Sequence, residues 1–296
     1  VKTVRYQNPE TRQVHLGLVV AGNVYSITRQ VPEWTDPVPM WHALRALGLA
    51  VEVAAEKLCQ GPRIPWTELE HSGLLLPPVA SQEVWAAGVT YERSRDARNA
   101  ETKLQDSVYD RVYAAQRPEL FFKATGVRVV ATGQSLGLRS DSQWMVPEPE
   151  LTLVISAAGD ILGWTVGNDL SSRDIEGENP LYLPQAKMFA GSCALGPVLL
   201  WNTGAENPLE WTMDLVIRRN SQVAFQGTVA LTQFRRSFGE LVAYLRRDNP
   251  VADGTALMTG TGIVPPDDFT LAPGDVIEVS VEAIGTLRNT VGASRN

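Results

Sequence analysis

The chain predicts an α+β, strand-rich fold with a small N-terminal α/β unit ahead of a larger domain. Three observations carry this. Short apolar runs bounded by Gly, Pro and Asn recur along most of its 296 residues. Helical spacing is confined to a few stretches. The doublet Pro77-Pro78, after Leu74-Leu75-Leu76, marks a boundary near residue 79. The expected organisation is therefore 1–79 and 80–296.

In the first unit, Val1 to Tyr6, Val14 to Ala21 and Asn23 to Ile27 predict strands, with Gly22-Asn23 as a hairpin turn. Trp41 to Cys59 carries Leu44, Leu47, Leu49, Val53 and Leu58 at helical spacing. No chemical constellation stands out there, so the unit is expected to serve packing or a dimer interface. In the second unit, Val84 to Val89 predicts a strand. Tyr91 to Gln116 predicts one or two surface helices (Ala97, Leu104, Val108, Val112, Ala115) stopped by Pro118. The same stretch could close over a site and bring Arg93, Arg95 and Arg98 to an anion. Leu151–Ile155, Ile161–Val166, Leu195–Leu200, Trp211–Arg218, Gln222–Thr228 and Val276–Val281 predict strands, and Leu241 to Arg246 ends a helix. The polar run 171–180 predicts a loop.

Apolar residues make up 44% and charged residues 20%, which is ordinary globular usage and excludes a disordered chain. No window approaches the ~18 apolar residues of a membrane span. The opening Val1-Lys2-Thr3-Val4-Arg5-Tyr6 has no leader pattern. Two cysteines, Cys59 and Cys193, fit a reducing, cytoplasmic setting. A formal charge of −7 argues against nucleic acid or an anionic membrane as partner. The three histidines, His15, His42 and His71, all lie early. Chemistry further along must use carboxylate, lysine, tyrosine or water, and a metal there must be held by oxygen.

The informative stretch is Pro147-Glu148-Pro149-Glu150 followed by Leu151–Ile155. On a strand, Glu148 and Glu150 share a face because side chains alternate. The chain turns at Ala157-Ala158-Gly159-Asp160 and returns to Gly167-Asn168-Asp169. A two-residue Ala158-Gly159 loop would set 148 opposite 169 and 150 opposite 167. Three carboxylates would then converge, with Gly167 leaving room beside Glu150. A one-residue slip would send Asp169 to the other face. Such a set favours Mg²⁺, or Mn²⁺ or Ca²⁺, with coordination positions left for substrate. Lys187 reads as a proton shuttle or anion clamp, or as a surface lysine. The Thr259-Gly260-Thr261-Gly262 turn can hold a carboxylate through N–H and hydroxyl groups.

Taken together, Gly88-Val89-Thr90-Tyr91, the run from Pro118 to Lys123, the Glu148/Glu150 pair, Gly167 to Asp174, Lys187 and Thr259 to Gly262 resemble the fumarylacetoacetate hydrolase family over roughly residues 80–290. The resemblance implies a β-roll or sandwich, a Mg²⁺ ion at Glu148, Glu150 and Asp169, and a homodimer or higher homo-oligomer. Carbon–carbon hydrolases of that family carry a histidine where this chain has Ser94, which speaks against hydrolysis. The branch of sugar-acid dehydratases acting on 2-keto-3-deoxy-D-arabinonate is more similar in Arg117 to Lys123 and in Ser172 to Lys187. That branch implies proton transfer by Glu119 and Lys187. A small anionic 2-keto acid would chelate the cation, lose its C3 proton to give a stabilised enolate and expel the C4 hydroxyl, forming 2,5-dioxopentanoate. Thr261, Gly260, Ser94, Arg95 and Lys123 are the expected substrate contacts. The alternative is another keto-acid reaction on the same scaffold: C–C hydrolysis, decarboxylation or isomerisation.

Overall fold

The structure is a computed structural model that describes residues 1–101 and 108–293, leaving aside the side chains of Arg95, Arg98, Ala100, Glu101, Val108 and Tyr109. Of the expected covering segment, Arg95, Arg98 and Leu104 therefore fall outside the described residues. The described part of that stretch forms two helices, Glu92–Glu101 and Val108–Ala114; residues 102–107 lie outside the described residues.

Strands dominate, as the short apolar runs implied. A large sheet runs in the order Arg63–Pro65, Asn23–Ser26, Val14–Val20, Lys2–Gln7, Cys193–Trp201, Ile161–Asp169, Pro149–Ile155, Thr255–Met258, Glu83–Gly88, Glu119–Thr125. A second sheet comprises Gln222–Ala230, Thr212–Arg219, Val276–Val281, Gly285–Val291 and Ser135–Leu136. The N-terminal strands do not form a sheet of their own. Lys2 and Thr3 pair with Leu200 and Leu199, so the first unit extends the large sheet. Residue 79 separates stretches of sequence, not layers of the fold.

Every residue of Pro149–Ile155 is buried, because both faces of this part of the sheet are covered. Leu151, Leu153, Ile155, Trp164 and Val166 belong to one core with Met213, Leu215, Ile217, Val279 and Leu287 of the second sheet. On the other face, Val154, Leu162, Leu199 and Trp201 pack with Leu16, Leu18, Met40 and Leu44 from the first unit. The large sheet also curls. Val129-Val130, just beyond Glu119–Thr125, pairs in parallel with Cys193-Ala194. Small and thin side chains fill the inside of this roll: Val84, Ala86, Ala124, Cys193, Leu195, Ala256 and Met258.

Three local expectations are corrected. The first hairpin turns on Ala21-Gly22, both at positive φ, and Asn23 already pairs with Val20. The single helix expected over Trp41 to Cys59 is two, Pro37–Leu47 and Val51–Leu58, because Gly48 takes the left-handed conformation and caps the first. With the helix broken, the buried faces are Met40 with Leu44 and Val51 with Ala54 and Leu58, whereas Leu47 is 68% exposed. The polar run after Ser172 is a helix, Arg173–Glu178, not a loop, and it buries Arg173 and Glu176.

Candidate active site and metal centre

The strands Pro149–Ile155 and Ile161–Asp169 bring the acids together. Glu150 pairs with Gly167, and Asp169 N–H donates to Glu148 O at 2.9 Å. That is the expected register, reached by another route. The turn is one residue out of step with a two-residue loop, since Ser156 N–H donates to Asp160 O. A bulge opposite Val154 and Ile155 restores the register before the acids are reached. Glu148, Glu150 and Asp169 are each at most 3% exposed, and one oxygen from each lies within 4.8 Å of the others.

The glycine beside Glu150 does not leave a gap. A Cβ on Gly167 would strike Thr152 Oγ1 and Met258 Cε, so those atoms already fill the space. Gly260 also differs from its expected role. Its N–H donates to Glu150 Oε2 at 2.5 Å and is not available to a substrate carboxylate. Its φ of +99° and the Thr90 hydroxyl in the way of any Cβ make glycine necessary there. Thr261 lines the cavity, with its Oγ1 bonded to Ile263.

Three buried cations meet the acids. Lys187 Nζ donates to Glu148 Oε2 (2.6 Å), Ser171 Oγ (2.7 Å) and Asp169 Oδ2 (3.2 Å). Arg173 Nη2 lies 2.9 Å from Glu148 Oε1. Lys123 Nζ lies 2.5 Å from Asp169 Oδ1 in an ion pair off hydrogen-bond alignment, and donates to Lys187 O (2.6 Å) and Leu170 O (3.0 Å). Lys187 is therefore not a surface lysine. Lys123 is not placed as the expected substrate contact either: it donates to two backbone carbonyls, pairs in charge with Asp169, and is not among the residues that wall the cavity. Burial, then Asp169, then Glu148 push the Glu150 carboxyl well above the usual carboxylate range, against the pull of Gly260 N–H and Lys187.

A narrow cavity of about 10 Å³ opens onto these groups and is walled further by Glu119, Glu176, Ser94 and Phe121. Glu119 sits opposite Gly88, where any Cβ would collide with its carboxylate. Ser94 Oγ donates to Tyr91 O at 2.9 Å. Arg95 cannot be placed, its side chain being outside the described residues. The histidines are elsewhere: His15 bonds Ser26, His42 pairs with Asp253 and His71 bonds Thr67 O. Among the described residues, five carboxylates line the cavity (Glu119, Glu148, Glu150, Asp169, Glu176) and three buried cations approach them. An all-oxygen donor set of three buried acids fits Mg²⁺ or Mn²⁺.

Arg173, Glu176, Ser171 and Phe121 had no assigned role from sequence. The signal was present for the first two, since Arg173 and Glu176 are one helical turn apart and can face the same cavity. A polar composition masked it by suggesting solvent.

Residues 83–292 match the family described as fumarylacetoacetate (FAA) hydrolase C-terminal. The chain belongs to this family. It is 47% identical over 214 residues to a probable 2-keto-3-deoxyxylonate dehydratase of Haloferax volcanii, covering 72% of this chain and 73% of the relative. It is 45% identical over 221 residues to the 2-dehydro-3-deoxy-D-arabinonate dehydratase of Saccharolobus solfataricus, covering 74% of each. Among solved structures, a 2-keto-3-deoxy-D-arabinonate dehydratase complexed with magnesium and 2,5-dioxopentanoate superposes with a TM-score of 0.84 at 35% identity, over 100% of both chains. The strand-rich roll and sandwich expected from the sequence is thus the architecture of this family. In the described residues no helix is long and apolar enough to cross a membrane.

Proposed function

We propose that the protein is a Mg²⁺-dependent hydro-lyase that dehydrates a 2-keto-3-deoxy pentonate of the 2-keto-3-deoxy-D-arabinonate type to 2,5-dioxopentanoate. The observation that carries this reading is one buried cavity holding an oxygen-only triad, Lys187 and Glu119, in a chain 45–47% identical to dehydratases of such acids.

Glu148, Glu150 and Asp169 would hold the ion, which when bound supplies Lewis acidity toward the keto and carboxylate oxygens of the substrate. The remaining work falls to the chain. Lys187 spends its three donors on Glu148, Asp169 and Ser171, the arrangement of an ammonium. It is the group able to deliver a proton. Glu119, a carboxylate on the same cavity, is the group able to take the C3 proton. As that C–H bond breaks, C3=C4 forms and the C4 hydroxyl leaves, with a delivered proton, as water. Hydrogen then shifts from C5 and its hydroxyl to C3 and C4, which leaves the aldehyde. Thr261 and Ser94 are the polar groups offered to the substrate's oxygens. The Ser94 hydroxyl, bonded to a backbone carbonyl, is no substitute for a histidine base, which disfavours C–C hydrolysis. On the same reading the enzyme works in sugar-acid catabolism, in the cytoplasm and as a homodimer, the last being open to light scattering.

The test is incubation with Mg²⁺ and 2-keto-3-deoxy-D-arabinonate. Appearance of 2,5-dioxopentanoate, with all five carbons kept, that stops with EDTA is expected. Release of pyruvate together with glycolaldehyde, and no 2,5-dioxopentanoate, would overturn the reading in favour of C–C cleavage.

A further inference from the structure

The strand Glu119–Thr125 contains an irregularity with a consequence for the site. Gly88 to Trp85 pair with Glu119 to Phe122, and Val84 then pairs with Ala124, so Lys123 is an extra residue with no opposite number. Bulges of this kind re-aim side chains. Here Phe121 reaches the cavity and Ala124 packs inside the roll, and Lys123 is turned inward between them. Its side chain is fully buried. In the flat order of the sheet, its strand and Ile161–Asp169 are separated by three others, so the contact with Asp169 exists because the sheet curls.

The groups it meets are not a random set. It forms an ion pair with the carboxylate of Asp169 and donates hydrogen bonds to the carbonyl of the next residue and to the carbonyl of Lys187. Lys187 O also accepts from Ser192 Oγ at 2.9 Å, so this carbonyl is held from two sides. One ammonium thus ties the third acid of the triad to the backbone that carries Lys187. No other side chain among the described residues that approaches Asp169 does both.

We propose that Lys123 is a positioning residue of the metal centre: it fixes Asp169 and the Lys187 backbone in mutual register, and does not contact substrate. The proposal rests on the reading of the triad as a metal site, but not on the identity of the keto acid. Two effects of removing it oppose each other. Loss of a nearby positive charge strengthens cation binding by electrostatics alone. Loss of the anchor frees Asp169 to leave the geometry that hard, octahedral cations demand, and removal of such supporting groups weakens binding about 10–100-fold. The positioning role requires the second effect to win.

The test is calorimetric titration of Lys123→Met with Mn²⁺ and Mg²⁺ in the absence of substrate, with thermal unfolding as a check on the fold. Binding weaker by about 10–100-fold in a folded variant is expected. Should Lys123→Met not fold, Lys123→Gln, which still donates to a carbonyl, carries the same read-out. Affinity equal to or tighter than that of the unsubstituted protein overturns the proposal. So does failure of both variants to fold, since the lysine would then serve the fold rather than the site. Because metal uptake is read directly, a wrong substrate class leaves the result unchanged, whereas the Mg²⁺ and keto-acid incubation fails on its own.

Discussion

Two ion networks in this molecule use the same chemistry at opposite extremes of burial. On the second sheet, Glu278 pairs with Arg218 at 3.4 Å and Arg288 at 3.2 Å, with the arginine side chains 44% and 53% exposed. In the roll, Glu148, Glu150 and Asp169 meet Lys123, Lys187 and Arg173, none of them more than 3% exposed. Water screens the first set, and such pairs contribute about 0–1 kcal/mol. The second set has lost its hydration, a cost that its pairing can fail to recover. A fold seeking only stability gains little from it, so the buried network is best understood as machinery. The difference teaches that charge pairing marks function here only where burial makes it expensive.

That contrast can be broken by substitution. Glu148→Gln, Glu150→Gln or Asp169→Asn should lower turnover by about a thousandfold, the equivalent of ~4 kcal/mol of lost metal assistance. Steady-state assays at saturating Mg²⁺ check this, and near-normal rates would remove the buried set from the mechanism. Lys187→Met and Glu119→Gln should each cost about 10²–10⁴-fold in kcat, with metal uptake by Glu119→Gln unchanged. Arg288→Ala, in the exposed set, should change unfolding free energy by less than ~1 kcal/mol and leave kcat alone. A large loss in a denaturant titration would mean that exposure does not separate the two networks.

The comparison is sharpened by pH. The metal-free protein holds the Glu150 carboxyl above its ordinary range because burial and two neighbouring acids oppose its charge. A raised carboxyl favours folding while protonated, and that contribution is lost as pH rises through its folded-state value. Metal uptake needs the ionised form. Metal affinity should therefore rise with pH, with proton release detected as buffer-dependent heats, and metal should stabilise the protein more at pH 8 than at pH 6. Smaller still is the thiol effect. Burial pushes Cys193 up to about 12, so only Cys59 should react with a thiol reagent at pH 8 until the chain is unfolded.

Much of this was legible in local pattern. Short apolar runs bounded by turn residues set the strands Leu151–Ile155 and Ile161–Val166, and side-chain alternation along a strand put Glu148 and Glu150 on one face. The pairing of 148 with 169 followed from the hairpin, although an off-step turn and a compensating bulge produced it. What sequence concealed were consequences of long-range closure. The strands Glu119–Thr125 and Thr255–Met258 lie where no strand was drawn, because their neighbours in the sheet are remote in sequence. Gly285–Val291 was missed although it forms a local hairpin with Val276–Val281. Lys123 looked like a substrate contact because nothing local reveals a bulge that turns it toward Asp169. Arg173 and Glu176 looked solvated because their burial depends on the cavity that the roll creates. Gly48 was visible, yet the apolar spacing on both sides of it read as continuous.

The central claim is that the buried triad is a divalent-metal site. Titration of the metal-depleted protein with Mn²⁺, followed by electron paramagnetic resonance, tests it most directly. The account predicts one ion bound per chain, displaced by excess Mg²⁺ and lost in Asp169→Asn while that variant remains folded. Absence of bound Mn²⁺, or an ion that Asp169→Asn retains at full affinity, would contradict it.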